Sequence, residues 1–383
     1  MDAQRLLDTF LELVQVDSPS LHEAAVAQYC KRAFEEAGCT VSIDGTAAVT
    51  GSDTGNLTAT LAGTAPGCLY FSAHMDTVSP GIGVRPVISD GIIRSLGETV
   101  LGGDDKCGVA AIIELVRTLA EHDLPHPRVV VLLSVGEEID LLGAKAMDGA
   151  AFDGEPCFVL DAAGHPGIVV IGAPYHHSFT ATFTGQAAHA GVAPETGVSA
   201  IGMAAHAIAA MELGRLDAQT TANIGTVVGG VANNIVAATC TVTGECRSQT
   251  PERVEEVHAH IDACLRAAAA EGAAAAGAAA GNGAVGVEVA WAENYRGFKL
   301  PQDDPVAVLA LEAAHALGLP AGTEVTGGGA DTNVLNEKGL HAVTLGTGMT
   351  AIHGCHEQLA VEDLESLARL VIEITYRYNG EER

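Results

Sequence analysis

Residues 128–135 read RVVVLLSV, and every side chain from Val129 to Leu133 is apolar. Successive side chains of an extended strand face opposite ways, so such a run has no face suited to water. It belongs in the middle of a sheet covered on both sides, the usual setting of parallel strands in layered α/β folds. LYFSAH (69–74) and CFVLD (157–161) have much the same character. Helical patterns cover roughly 2–16, 21–37 and 106–122, and a further strand-like run covers 57–61. Strand and helix alternate, so this part of the chain is expected to build an α/β layered sheet.

Near residue 175 the texture changes. SFTATFTG (178–185) alternates like a half-exposed strand, and VSAIGMAAHAIAAMEL (198–213) reads as a helix. TANIGTVVGG and ATCTVTGECRS look like an antiparallel pair. PERVEEVHAHIDACLRAAAA is a helix with Pro251 in its first turn, and AVGVEVAWAENY is a last strand. The order β-α-β-β-α-β is the split, ferredoxin-like pattern. The Ala/Gly tract 267–283 reads as a helix end followed by a surface loop. From 293 the α/β pattern resumes, with a helix near 304–317, the buried strand HAVTLGTG and a last helix over 361–377. The expected organisation is therefore a main α/β domain in two parts, 1–175 and 293–383, carrying an inserted α+β domain over 176–292.

The formal net charge of −29 argues against nucleic acid and anionic membrane surfaces as partners. No apolar stretch looks like an uninterrupted membrane span. The first twenty residues place acids among their apolar positions, unlike a signal peptide, and cytoplasmic is the expectation. Nine scattered cysteines without a Cys-x-x-Cys spacing are expected to be reduced thiols, with Cys107 and Cys355 lying beside the motifs below.

Five places put metal-ligating residue types at strand ends or loop–helix junctions. They are AHMDT (His74, Asp76), GGDDKCG (Asp104, Asp105), VGEEID (Glu137, Glu138), VLDAAG (Asp161) and AIHGCHE (His353, His356, Glu357). Each has an ordinary reading alone: a surface histidine, a helix N-cap, a solvated turn. Together they would crowd carboxylates at one sheet edge, with only Lys106 and Lys145 nearby in sequence. Crowded carboxylates are costly without cations, and a pair of divalent metals removes the cost. Two histidines with three or four carboxylates suit zinc, although cobalt or manganese fits the same donors. Two such ions about 3.5–4 Å apart polarise a carbonyl and activate water. A spare glutamate beside a ligand glutamate then serves as general base. In this reading His74 binds metal and Asp76 orients its imidazole.

The ordered motifs HMDTV, LGGDDKCGVAAI, VGEEIDLLGAKAM, VLDAAG and IHGCHEQLAVEDLE resemble the co-catalytic zinc exopeptidases that include peptidase T, carboxypeptidase G and succinyl-diaminopimelate desuccinylase. GQAAHAGVAPETGVSAI, LGRLDAQTTANIGTVVGGVANNIV, GECRS and TGGGADTNVLNEKGLHAVTLGTG extend the likeness over nearly the whole chain, which is most similar to the peptidase T-like branch. The resemblance implies that Asp104 bridges two zinc ions. His74 and Asp161 would complete one ion's protein ligands, and Glu138 and His353 the other's. Glu137 would be the general base and Asp76 the orienting residue, and the Asp104–Asp105 peptide would be cis. The family's His-x-x-x-Glu pattern selects His353 over His356.

In the inserted domain the resemblance implies that His189 reaches a neighbouring subunit's site to stabilise an oxyanion. It also implies that Arg247 grips a substrate carboxylate and that Asn234 touches substrate. Plain structural readings stand beside these: Arg247 can pair with Glu245, and His189 can be a turn residue. The Gly327–Gly329 run, centred on Gly328, either lets backbone approach substrate or makes a tight turn.

The function expected is a di-zinc metallopeptidase that removes the N-terminal residue of short peptides such as tripeptides. It would act as a homodimer joined through the inserted domain, without nucleic-acid or membrane partners. The alternatives are a zinc-dependent deacylase of N-acyl amino acids and, in a different class, a non-catalytic binding protein on the same fold. The last should have lost Glu137 or a ligand, and this chain keeps them all.

Overall fold

Four apolar runs lie side by side as the parallel centre of the main sheet, in the order Arg128–Ser134, Cys68–His74, Pro156–Ala162 and His341–Gly346. The structure is a computed structural model that describes residues 1–122, 125–276 and 285–379. Antiparallel strands flank this centre. Leu57–Leu61 and then Thr40–Ile43 lie beyond Arg128–Ser134, and Ile168–Ala173 lies beside His341–Gly346. The architecture is thus a mixed sheet flanked by helices.

The period of two accounts for both faces of the sheet. Leu69, Phe71, Ala73, Val129, Val131, Leu133, Phe158 and Leu160 join one buried cluster with helices Ala3–Val14, Ala24–Glu36, Gly103–His122, Pro305–Ala316 and Val361–Tyr378. Tyr70, Val130, Leu132, Cys157 and Val159 join a second with Met147, Leu335 and Leu340. Phe71 is fully buried, and burying a side chain of its kind contributes about 1.5–3 kcal/mol. Because the central strands run parallel, their carboxyl ends share one edge, with His74 in register with Ser134. That edge is where open α/β sheets place their sites.

Helix Gly103–His122 contains non-helical backbone at Asp104 (φ −76°, ψ 105°) and Asp105 (φ −116°, ψ 35°), and their shared peptide is cis. Gly108 allows the helix to sit close. A Cβ there would meet Asp105 Oδ1 at 2.5 Å and the Leu160 carbonyl at 2.6 Å.

The chain divides into two compact units. One comprises Met1–Gly172, Lys299–Thr326 and Ala330–Arg383, and the other Ala173–Phe298 with Gly327–Gly329. The second unit is a five-stranded antiparallel sheet in the order Gly214–Asp217, Thr220–Gly229, Thr239–Ser248, Tyr175–Thr184 and Gly286–Tyr295. Without the short first strand this is the ferredoxin-like order. Phe179, Ala181 and Phe183 pack against Met203, Ala204 and Ala207 of helix Ala200–Ala210 and against Val254, Val257 and Ile261 of helix Pro251–Ala276. The Ala/Gly tract continues this second helix as far as Ala276, and the loop expected beyond it lies outside the described residues.

Several short elements carry no signal in the sequence. Pro86–Ser89, Ile92–Ser95 and Gln358–Ala360 form a small antiparallel sheet, and Asp331–Glu337 is a seven-residue helix. Strands of three or four residues are too short for alternation to be read. No helix among the described residues is long and apolar enough to cross a membrane. All nine cysteines are free, Cys107 buried and Cys355 exposed.

Candidate active site

His74, the last residue of its strand, is 1% exposed. Its Nδ1 donates to the carbonyl of Asp76 at 2.9 Å and lies 3.4 Å from that residue's Oδ1. This fixes the tautomer and leaves Nε2 free to bind an ion. Nε2 points at Asp104 Oδ1, 3.1 Å away, and at Asp161 Oδ1, 3.7 Å away. The other oxygen of Asp104, Oδ2, lies 3.2 Å from His353 Nε2, which is also 3.0 Å from Glu138 Oε2. One carboxylate therefore faces two histidines from distant parts of the chain. Glu137 joins the group through His74 and Glu138. His353 has φ 61°, a left-handed conformation uncommon outside glycine and often found at functional sites.

Electrostatics follow from this crowding. Burial would raise the Asp104 carboxyl, but hydrogen bonds from His353 and His74 outweigh it and hold it well below the carboxylate range. Hydrogen bonds to Asp104 and Glu138 push His353 up to about 10. Burial opposes protonation of His74, yet Asp104 and Asp76 raise it well above its ordinary value. Glu137 is raised well above its ordinary value by burial and by the charges of Asp331, Glu138 and Asp76, against the pull of His74. Burial and the neighbouring Glu137 likewise raise Asp161.

The donors suit a pair of divalent cations. Glu138 Oε1 is buried without a hydrogen-bond partner. The two lysines nearby in sequence are engaged elsewhere: Lys106 Nζ donates to the Val16 carbonyl at 2.7 Å, and Lys145 pairs with Asp140 at 2.7 Å. Two imidazoles and four carboxylates, with no lysine ion-paired to them among the described residues, make a donor set for zinc-type ions.

Four supporting residues had no role assigned from sequence. Glu357 accepts the N–H groups of Gly102 (2.9 Å) and Asp104 (3.0 Å), which holds Asp104 in place. Its position in the His-x-x-x-Glu pattern was the available signal. Ser20 donates to Asp76 Oδ2 at 2.6 Å. Ser134 donates to Asp331, whose second oxygen is buried and unpartnered and whose carboxyl burial pushes up to about 6. Nothing in the sequence spacing points to Ser20 or to the Ser134–Asp331 pair.

The remaining candidates lie in the second unit. His189 and Asn234 are exposed and adjacent: His189 bridges to Ile235, and the Ala190 N–H donates to the Asn234 carbonyl at 2.9 Å. Arg247 makes a two-pronged pair with Glu245 (3.1 and 2.9 Å) and donates to the Tyr295 hydroxyl at 3.2 Å. Glu245 also pairs with His176 at 2.8 Å. Gly328 is half-buried, and the close approach in its run belongs to Gly329, where a Cβ would meet the Tyr295 ring at 2.3 Å. His356 is exposed.

Two family models match the chain: a peptidase dimerisation domain over residues 171–273 and peptidase family M28 over residues 56–157. The solved structure of aminopeptidase PepT from Bacillus cereus is 40% identical, covers 98% of both chains and superposes with a TM-score of 0.87. A tripeptidase from Staphylococcus aureus is 38% identical over 100% of both chains, with a TM-score of 0.92. The chain belongs to the peptidase T family. As a peptidase T-like chain it is a hydrolase of the metal-dependent exopeptidase class. A dinuclear-metal-binding peptidase of family M20 from Bacillus subtilis, 17% identical over 99% of this chain and 98% of its own with a TM-score of 0.71, shares the fold.

Proposed function

We propose that the chain is a two-metal aminopeptidase that removes the N-terminal residue of free tripeptides. The observation that carries this is the Asp104 carboxylate, with one oxygen turned to His74 and the other to His353 and Glu137 close by. His74, Asp104 and Asp161 would hold one zinc ion, and Asp104, Glu138 and His353 the other. When bound, the pair supplies Lewis acidity toward the scissile carbonyl and the attacking water.

The chain's own residues supply the rest. Glu137 accepts a proton from the attacking water and passes it to the leaving amine. Its burial among carboxylates favours this role, because a raised pKa brings a carboxylate nearer to working pH. Asp76 keeps the His74 ring and the Glu137–Glu138 backbone in place through contacts to both. Arg247 recognises the free carboxylate of the substrate, for which a planar guanidinium is well shaped. Asn234 contacts the substrate, Gly328 gives it room, and His189 acts on the carbonyl oxygen from a partner chain. The homodimer forms through the inserted unit, in keeping with the match to a dimerisation domain. Its strand Thr220–Gly229 carries the exposed Val227 and Val228.

The test is hydrolysis of dipeptides, free tripeptides, amidated tripeptides and N-acetyl amino acids by metal-loaded protein, with Glu137→Ala as control. Cleavage of free tripeptides, weakened by amidation and lost in the variant, is the expected result. Turnover of the N-acetyl compounds alone would replace this reading with the deacylase.

A further inference from the structure

Two histidines outside the catalytic centre face one another across a helix–sheet boundary. His177 stands on the inner strand Tyr175–Thr184 and is 5% exposed. Glu255 and His258, three apart on helix Pro251–Ala276, lie on one helix face. His177 Nδ1 is 3.3 Å from His258 Nδ1, His258 Nδ1 is 3.7 Å from Glu255 Oε2, and His177 Nε2 is 3.9 Å from Glu255 Oε1. We infer that His177, Glu255 and His258 form a second metal site, within the inserted unit, for a divalent ion of the zinc type.

The spacing carries the inference. Zinc bonds nitrogen at about 2.0–2.1 Å, so tetrahedral geometry sets neighbouring ligand atoms about 3.3–3.4 Å apart. The two imidazole nitrogens already meet that distance, which is long for an N–H···N bond. Glu255 is exposed, its Oε2 stands 3.7 Å from His258 Nδ1, and one ligand atom from each of the three residues lies within 4.8 Å of the others, so a swing of the Glu255 side chain closes the set. Glu-x-x-His on a helix facing further ligands is a recurring metal-binding arrangement. The His258 ring is held in place by stacking on Trp291, with centroids 3.8 Å apart and planes at 24°. Trp291 Nε1 in turn donates to Asp262 at 3.3 Å. Three protein ligands leave a fourth position for water, and the ion ties the helix to an inner strand of its sheet. None of this depends on the catalytic reading.

Trp291 is the only tryptophan in the chain and touches a ligand directly, so its fluorescence reports on this site. The experiment titrates the metal-stripped full chain with Co2+ and reads tryptophan quenching. It compares wild type with His177→Gln, Glu255→Gln and, as a control in the catalytic centre, Asp104→Asn. Saturable, EDTA-reversible quenching is expected in wild type and in Asp104→Asn. Its midpoint should rise by about tenfold or more in the other two variants, at least the cost of disturbing a metal's outer shell. Glu255→Gln alters an exposed side chain and keeps the test open if His177→Gln does not fold. A midpoint unmoved by Glu255→Gln, quenching lost in Asp104→Asn, or no saturable quenching in wild type would each overturn the site and leave a weak histidine–histidine hydrogen bond.

Discussion

The carboxylate of Asp76 accepts the backbone N–H of Glu137 at 2.9 Å while its Oδ1 lies 3.4 Å from His74 Nδ1. A single buried residue thus orients an imidazole, through its backbone carbonyl and the nearby carboxylate, and sets the backbone position of the glutamate pair through its side chain. The two strands concerned, Cys68–His74 and Arg128–Ser134, are neighbours in the sheet, so the tie spans adjacent strand ends.

Asp76→Ala removes the carboxylate from both His74 and the Glu137 amide while leaving the backbone carbonyl on His74 Nδ1, whereas Asp76→Asn keeps an acceptor oxygen for the amide. The alanine variant should lose about 10–100-fold in metal affinity, the usual cost of removing a partner of a ligating histidine, and the asparagine variant less. Calorimetric metal titration alongside kcat/KM checks this. Equal losses would mean that the charge of Asp76 matters and its hydrogen bond to Glu137 does not.

Glu137→Gln preserves size and removes the base. It should lower kcat by about 10²–10⁴-fold while metal content and KM stay near wild type. Metal analysis and steady-state kinetics on one preparation decide the point. A raised KM with kcat intact would assign Glu137 to binding instead.

In chelated protein His353 titrates near 10, above the ordinary histidine value of 6.5, and His74 is shifted the same way. A raised folded-state pKa stabilises the fold fully below the unfolded value and ceases to do so as pH climbs through the folded one. The melting temperature of EDTA-treated protein should therefore fall between about pH 6.5 and pH 10. Metal uptake requires deprotonated ligands, so loading at pH 7 should release protons into a weak buffer. A chelated protein that gains stability over this range, or loading without proton release, would show that the histidines are neutral before metal arrives.

Arg247→Lys keeps the charge but not the planar fork. On free tripeptides it should raise KM about tenfold or more, consistent with about 1.5–3 kcal/mol for a hydrogen bond to a charged group, with little change on amidated ones. If both substrates suffer alike, Arg247 acts by holding Glu245 and Tyr295 rather than by reading the carboxylate.

The sheet was legible because Val129–Leu133 and its neighbours are apolar on both faces, which leaves one plausible environment. Of the six side chains brought together at the site, His74, Glu137, Glu138 and Asp161 were legible for a related reason, while Asp104 and His353 were singled out by the ordered motifs. A strand must end somewhere, and polar residues directly after a fully buried run are held at the sheet's edge. What escaped were partners whose roles depend on chain crossing. Ser20 reaches Asp76 across 56 positions, and Glu357 reaches Asp104 across 253. No periodicity encodes such contacts. Asp331–Glu337, at seven residues, is too short for a helical period to emerge beside its glycine run.

Strands Pro156–Ala162 and Ile168–Ala173 follow one another in sequence yet are not neighbours, because His341–Gly346 lies between them. During synthesis the ribosome delivers both sides of that slot long before the strand that fills it, and His353 emerges later still. A chain arrested before residue 341 has the sheet's flanks, both aspartates and both glutamates, but neither the closing strand nor the second histidine. On the proposed two-metal reading, hydrolytic competence arrives only with the last stretch to be translated, and unfinished chains are silent toward the peptides around them.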